Sequence, residues 1–247
     1  MFKLGLSSIA VCVFVAAAVR ADDKDDAKAI LDKAIKAHGG EEKLAKPRAM
    51  TMKVKGKFYG FNEEGIEYKM ELSATPTKRR FDLDSGAGDA SFKFSSVYNG
   101  EKGWRKINDD VADLTKEEIE EVKHDLYIDR VTTLAPLKDK EFKLSALGET
   151  KIGKKAAVGI KIECKGHRDV NLFFDKDTGL LIKSESKVID MGEEKNQETI
   201  FSDHKDIEGR KVPMKVVINR DGKLFVEGET TEYKFHDKLD DNVFAKP

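Results

Sequence analysis

The 247-residue sequence has little cysteine and no excess of charge of either sign. Its two cysteines are Cys12 and Cys164, and Cys12 lies in an N-terminal apolar run that we expect to be removed. With one cysteine left, an intrachain disulfide is excluded and stability has to come from an apolar core. The 45 basic and 46 acidic residues give a net charge of −1, which argues against nucleic-acid binding. After residue 21, no apolar run approaches the roughly 18 residues of a membrane-spanning helix.

The N-terminal segment has the composition of a Sec-type secretory signal peptide. Lys3 is its basic start, residues 4–19 are apolar and uncharged, and cleavage is predicted near Ala21. A lipoprotein processing site would have a small residue before its cysteine, but Val11 precedes Cys12, so we expect no lipid anchor. We therefore predict a signal peptide over 1–21, a single domain over 22–247, and a periplasmic or secreted protein.

Two segments have the apolar period of amphipathic helices. The first covers 25–38 and ends at Gly39-Gly40; its apolar stripe consists of Ala27, Ile30, Leu31, Ala34 and Ile35. The second covers 115–134 and begins with a capping box, since Thr115 and Glu118 have the required spacing. Its predicted apolar seam is Ile119, Val122 and Leu126, with a continuation through Arg130, Val131 and Leu134.

From Arg48 onward the apolar period changes to two, which indicates half-buried β-strands. Turn sequences such as Asn99-Gly100 separate these strands, so consecutive strands are expected to pair as hairpins. We predict an α+β fold: an incomplete, strongly curved antiparallel β-barrel of about eleven strands, with the N-terminal helix and the inserted helix covering its concave face. A two-layer α+β core without a cavity is the alternative that periodicity leaves open.

The sequence contains no recognisable catalytic or metal-binding motif. Its five histidines lack the spacing of a metal site; they are His38, His124, His167, His204 and His236. Cys164 falls on the apolar face of its strand, as expected of a core residue. We therefore expect no enzymatic activity, no cofactor and no metal.

The apolar residues of the first half-sheet and of the inserted helix are more suggestive. Aromatic and methionine side chains there could line a cavity for an acyl chain or another apolar ligand, although ordinary core packing is the alternative. The candidate lining residues are Met50, Met52, Val54, Phe58, Met70, Phe81, Phe92, Phe94, Trp104, Ile119, Val122 and Leu126.

Several segments of the sequence form a recognisable series. A signal peptide leads into a short helix ending in Gly-Gly, and a strand rich in lysine and methionine follows. The segments are Ala29 to Glu42 (AILDKAIKAHGGEE), Met50 to Tyr59, Asp177 to Ile182, Lys211 to Met214, and Thr231 to Phe235. Together they resemble the bacterial outer-membrane lipoprotein-sorting proteins, the LolA/LolB-like carriers, and especially the divergent members of that group. The resemblance implies a periplasmic incomplete barrel, closed by helices, whose hydrophobic cavity accepts lipoprotein acyl chains and releases them at the outer membrane.

We therefore expect a periplasmic carrier or chaperone that binds lipoprotein acyl chains or another lipid. It would act as a monomer and exchange its cargo with membrane proteins of the envelope. Two alternatives remain open: an envelope module that binds protein or polysaccharide without lipid, and a secreted hydrolase.

Overall fold

The computed structural model describes residues 21–46, 48–86, 91–190 and 192–247. The predicted signal peptide, apart from Ala21, lies outside these residues. Three α-helices are described: α1 (Ala21–Ala37), α2 (Glu41–Leu44) and α3 (Lys116–Thr132). Short 3₁₀ helices lie at Ala135–Lys138 and Asp241–Phe244. None of the described helices combines the length and apolarity needed to cross a membrane.

The described residues form thirteen strands, two more than predicted. In chain order they are β1 (Ala49–Phe58), β2 (Ile66–Ala74), β3 (Arg79–Ser85), β4 (Phe92–Tyr98), β5 (Gly103–Ile107), β6 (Asp110–Asp113), β7 (Phe142–Ile152), β8 (Lys155–Cys164), β9 (Val170–Asp175), β10 (Leu181–Asp190), β11 (Glu193–Ile207), β12 (Arg210–Arg220) and β13 (Lys223–His236). Strand β6 is not indicated by the sequence, because two of its four residues are acidic and all four are exposed.

All thirteen strands belong to one antiparallel sheet in the order β6-β5-β4-β3-β2-β1-β13-β12-β11-β10-β9-β8-β7. Strands adjacent in the chain are adjacent in the sheet, apart from β6 and β7, which lie at its two edges. The pairing of β1 with β13 joins the two halves of the sheet. Interruptions of the register, such as that between Lys53 and Val54 opposite β13, help a sheet to bend. The edges β6 and β7 remain unpaired with each other, and α3 connects them. The predicted incomplete antiparallel barrel is confirmed.

The main hydrophobic core lies between α1, α3 and strands β7–β10. Ala27, Leu31, Ala34 and Ile35 of α1 are all buried in it, which confirms the predicted stripe. They pack against strand residues such as Ile160 and Leu172, which are fully buried. Each fully buried side chain of this size contributes about 1.5–3 kcal/mol to folding. The core thus fixes α1 over the C-terminal half of the sheet.

Helix α3 begins as predicted but buries a different face. Thr115 Oγ1 accepts the Glu118 N–H at 3.2 Å, and the Glu118 carboxylate accepts the Thr115 N–H at 2.7 Å, so the capping box is confirmed. The buried residues of α3 are His124, Tyr127 and Val131, whereas Ile119, Val122 and Leu126 are only half-buried. The predicted seam is therefore wrong for these three residues, whereas Val131 and Leu134 of its predicted continuation are fully buried. Helix α3 packs on the core by one side, and Val122 and Leu126 border open space.

Candidate functional site

Two cavities border α3. The first has a volume of about 540 Å³ and lies between α2, the C-terminal end of α3 and strands β1 and β10–β13. The second, of about 1040 Å³, lies between the N-terminal half of α3 and strands β3–β5. Ligand pockets in proteins commonly have volumes of about 300–1,000 Å³. Both cavities are therefore large enough for a small ligand or an alkyl chain.

The first cavity has an apolar wall built from both halves of the sheet. Met50 of β1 is paired with Phe235 of β13, so the joining of the two halves brings these side chains together. Leu126 of α3 borders the cavity as well. Further apolar lining residues are Leu44, Ala74, Pro76, Ala135, Leu181, Phe201, Val212 and Tyr233. Burial raises the pKa of Tyr233, so its hydroxyl stays protonated and adds no charge.

A group of three charged side chains lies where the two cavities meet. The Arg79 guanidinium donates to Asp129, which borders the first cavity, and its Nε lies 3.9 Å from Asp125, which borders the second. Desolvation by the surrounding protein raises the pKa of both carboxyls, although the Asp125 and Asp129 side chains are 55% and 44% exposed, and the positive charge of Arg79 opposes that rise. An alkyl chain in the first cavity would meet these charges at the boundary with the second. We therefore treat the two cavities as separate compartments.

Two histidines on the wall of the first cavity are held in the neutral form. His38 is buried; its Nδ1 donates to Ala34 O at 2.8 Å and its Nε2 accepts the Leu181 N–H at 3.2 Å. Accepting that bond requires an unprotonated Nε2, and burial lowers the pKa of His38. The His204 ring lies 6.1 Å from that of His38, edge to face. Burial and the proximity of His38 lower the pKa of His204 to about 4.

The twelve predicted lining residues are distributed unevenly. Met50 and Leu126 border the first cavity, and Phe81, Phe94 and Val122 border the second. The other seven border neither cavity: Met52, Val54, Phe58, Met70, Phe92, Trp104 and Ile119. Phe58 instead packs edge to face with Phe61 and Phe225, with ring centroids 5.1 and 4.9 Å apart.

The strand register places Trp104 on the opposite face of the sheet. Ser96 and Arg105 are cross-strand partners that border the second cavity. Trp104 and its partner Val97 are their immediate neighbours, and successive side chains of a strand point to opposite faces. Trp104 therefore points away from the second cavity.

Sequence reasoning missed the contribution of the C-terminal strands to the first cavity. Phe201, Tyr233 and Phe235 all border it. Tyr233 and Phe235 flank Lys234 with the period of two that indicates a half-buried strand, so the pattern was present. This alternation alone does not show whether the aromatic face of a strand borders a cavity or packs in the core.

The described residues contain no group of three or more histidine, cysteine or acidic side chains placed to hold a metal ion. Cys164 is half-buried against the main core, and burial raises the pKa of its thiol. A raised thiol pKa disfavours the thiolate that a nucleophile requires.

The fold and the cavity together define a class of protein: an incomplete antiparallel β-barrel with helices over its concave face and a ligand-sized space beneath them. Three solved structures share this architecture. A LolA superfamily protein from Nitrosomonas europaea superimposes with a TM-score of 0.54 and 12% identity, over 89% of this chain and 97% of the other. An outer membrane lipoprotein-sorting protein domain from Vibrio parahaemolyticus gives 0.53 and 10%, over 91% and 98%. A DUF1329 family protein from Desulfovibrio piger gives 0.53 and 13%, over 89% and 97%.

The chain therefore has the LolA fold, as the resemblance in its sequence predicts. No protein-family model matches the sequence, and a search of curated proteins found no significant similarity. The likeness is one of fold, with sequence identities of 10–13% to the three structures.

Proposed function

We propose that this protein is a carrier that binds the acyl chain of a lipoprotein, or another apolar ligand, in the bacterial periplasm. The observation that carries this proposal is the first cavity, with its apolar wall of Met50, Leu126, Phe201 and Phe235. The fold shared with a lipoprotein-sorting domain supports the same role. Export by the predicted signal peptide would bring the protein to the compartment in which such cargo travels.

The apolar wall is sufficient to hold an alkyl chain. Burial of one methylene group contributes about 0.8 kcal/mol, so burial of roughly 14 carbons would contribute on the order of 10 kcal/mol. The entropy lost on association offsets part of this gain. The charged group of Arg79, Asp125 and Asp129 would stop the chain at the boundary of the second cavity.

We further propose that the protein has no catalytic activity. A general base works best when its pKa lies near the operating pH. Both ring nitrogens of His38 are engaged, and the pKa values of His124 and His204 are lowered to about 4, chiefly by burial. These three histidines are therefore neutral and weakly basic at physiological pH, which suits a structural role.

Native mass spectrometry of the protein, purified from cells that contain membranes, tests the carrier function. We expect a co-purified lipid, and we expect Leu126→Glu to abolish it because the new charge lies on the wall of the first cavity. The control is Leu147→Glu, since Leu147 is 41% exposed and borders neither cavity. Loss of lipid from both variants alike, or a parent protein that never carries lipid, would contradict the proposal. The second of these results is the one expected of an envelope interaction module.

A further inference from the structure

Two guanidinium groups share one aromatic ring on the wall of the first cavity. Arg48 immediately precedes β1 and Arg210 begins β12, and both border the cavity. Their Cζ atoms lie 5.5 Å and 4.6 Å from the centroid of the Phe235 ring. Burial and the nearby charge of Arg48 lower the pKa of Arg210, although an arginine remains charged at any physiological pH. Two positive charges are thus concentrated beside the apolar wall.

The protein neutralises these two charges incompletely. Arg48 pairs with Glu208 and lies 3.5 Å from the fully exposed Asp237, neither of which borders the cavity. Arg210 is only 9% exposed, yet no carboxylate oxygen in the described part of the chain lies within 4.0 Å of its nitrogens. Its Nη2 donates instead to the main-chain oxygens of Lys43 at 2.6 Å and Lys46 at 3.0 Å. Those bonds hold the guanidinium in place, and Glu208 opposes its positive charge only from beyond 4.0 Å.

One hydrogen-bond donor at this site also lacks a partner among the described residues. The Nε atom of Arg48 is buried and has no hydrogen-bond partner among the described residues. Leaving a buried donor unpaired is unfavourable, and such groups call for a physical explanation. A ligand that accepts hydrogen bonds beside Arg48 would satisfy this donor.

Counted together with Arg48 and Arg210, the charged side chains of the cavity wall are mostly basic. Its wall has five basic side chains and two acidic ones: Lys46, Arg48, Arg130, Arg210 and Lys211 against Asp129 and Asp139. Asp129 is engaged by Arg79, and Asp139 lies 3.6 Å from Arg130. Lys46, Arg130 and Lys211 also pair with carboxylates outside the wall, namely Glu42, Glu141 and Asp206. Among the described residues, Arg210 is therefore the one basic side chain of the wall with no carboxylate within 4.0 Å. A concave site with walls of one predominant charge concentrates ions of the opposite charge. The chain as a whole has a net charge of only −1, so the positive charge is a local property of this cavity.

We propose that the ligand of the first cavity is an anionic amphiphile, an alkyl chain with a carboxylate or phosphate head group that Arg48 and Arg210 bind. This inference rests on the proposed carrier function and narrows its cargo. The planar fork of donors on each guanidinium suits the oxygens of either head group. The alkyl chain would extend from Phe235 toward Phe201 and Leu126 along the apolar wall.

Displacement of a bound neutral fluorophore, N-phenylnaphthylamine, measures this preference. The competitors are dodecanoate, dodecyl phosphate and dodecanol, which share one alkyl chain and differ in head group. We expect the parent protein to bind dodecanoate or dodecyl phosphate at least about tenfold more tightly than dodecanol. The tighter of the two anions identifies the head group as a carboxylate or a phosphate.

Variants assign the preference to the arginines. In Arg48→Gln and Arg210→Gln we expect the ratio of anion to alcohol affinity to fall to about one, with fluorophore and dodecanol binding retained. Arg48→Gln keeps the test valid if loss of the buried Arg210 impairs folding. The matched control is Arg220→Gln: Arg220 also lies over a phenylalanine, with its Cζ 3.7 Å from the Phe225 centroid, but borders neither cavity.

The outcomes separate the two proposals. Equal affinity of the parent for the anions and the alcohol would overturn the anionic cargo while leaving the apolar carrier intact. A preference that persists in both arginine variants would overturn the role of Arg48 and Arg210. If neither the fluorophore nor dodecanol binds, the carrier function itself fails, and the anionic cargo fails with it.

Discussion

His124 is predicted to make the protein sensitive to acid. It lies on the buried face of α3, is 5% exposed, and its Nε2 has no hydrogen-bond partner among the described residues. Burial, and to a lesser degree the charge of Arg168, lower its pKa to about 4, whereas an unfolded histidine has a pKa of 6.5. The unfolded chain therefore binds more protons between these values. The contribution of this residue to stability is complete above pH 6.5 and is lost progressively as the pH falls from 6.5 to about 4.

The size of the effect follows from the two pKa values. The full difference between 6.5 and about 4 corresponds to about 3.4 kcal/mol, and roughly 2 kcal/mol of it is lost by about pH 5. His204, whose pKa is also about 4, adds a loss of the same sign. Asp125 and Asp129 act in the opposite direction, because their raised pKa values mean that the folded protein binds more protons than the unfolded chain as the pH falls. Comparison of a variant with the parent protein removes these shared contributions.

The measurement is urea unfolding of the parent and of His124→Leu at about pH 7.5 and about pH 5, with circular dichroism as the probe of unfolding. We expect the variant to lose about 2 kcal/mol less than the parent between these two pH values. Tyr127→Phe is the control, because Tyr127 lies on the same buried face and burial raises its pKa to about 12, far from this range. Equal losses in His124→Leu and the parent, within about 0.5 kcal/mol, would refute the reasoning.

Two further changes test the local structure. Gly39→Ala should be less stable than Gly40→Ala by at least about 1 kcal/mol in chemical denaturation. Both glycines have a positive φ, but only at Gly39 would a Cβ atom clash with a backbone oxygen, that of Gly209 at 2.2 Å. Equal stability of the two variants would show that this contact does not constrain the end of α1. Thr115→Ala should lower the unfolding free energy by about 1 kcal/mol because it removes half of the capping box with Glu118, and an unchanged urea midpoint would contradict that role.

The sequence predicts those features that depend on neighbouring residues in the chain. The apolar residues of α1 recur every three to four positions and pack against one layer of the structure only. The buried face of α1 can therefore be predicted from the sequence. The start of α3 was equally readable, because Thr115 and Glu118 lie within one turn. Hairpin order follows from the turns between strands, which is why the antiparallel architecture was foreseen.

Features that depend on distant segments could not be read in the same way. Helix α3 contacts the core through Tyr127 and Val131 and borders the cavities through Val122 and Leu126, so it has two partly apolar sides and no single stripe. Strand β6 pairs with β5 through its backbone, and its exposed side chains show no apolar alternation.

The first cavity depends on the longest-range pairing in the sheet. Met50 meets Phe235 only because β1 pairs with β13. Arg48 and Arg210 come together at the same junction, although 161 positions separate them in the sequence. No local sequence pattern indicates which distant residues come together. For that reason the sequence predicts apolar lining residues but does not predict the basic residues beside them.

A crystal structure with ω-bromododecanoate would test most directly whether the first cavity is the ligand site. The anomalous signal of bromine locates the end of the alkyl chain without reference to its head group. We expect the bromine within van der Waals contact of Leu126 or Phe201, on the apolar wall. A bromine bound only on the outer surface, with the first cavity free of ligand, would contradict the account.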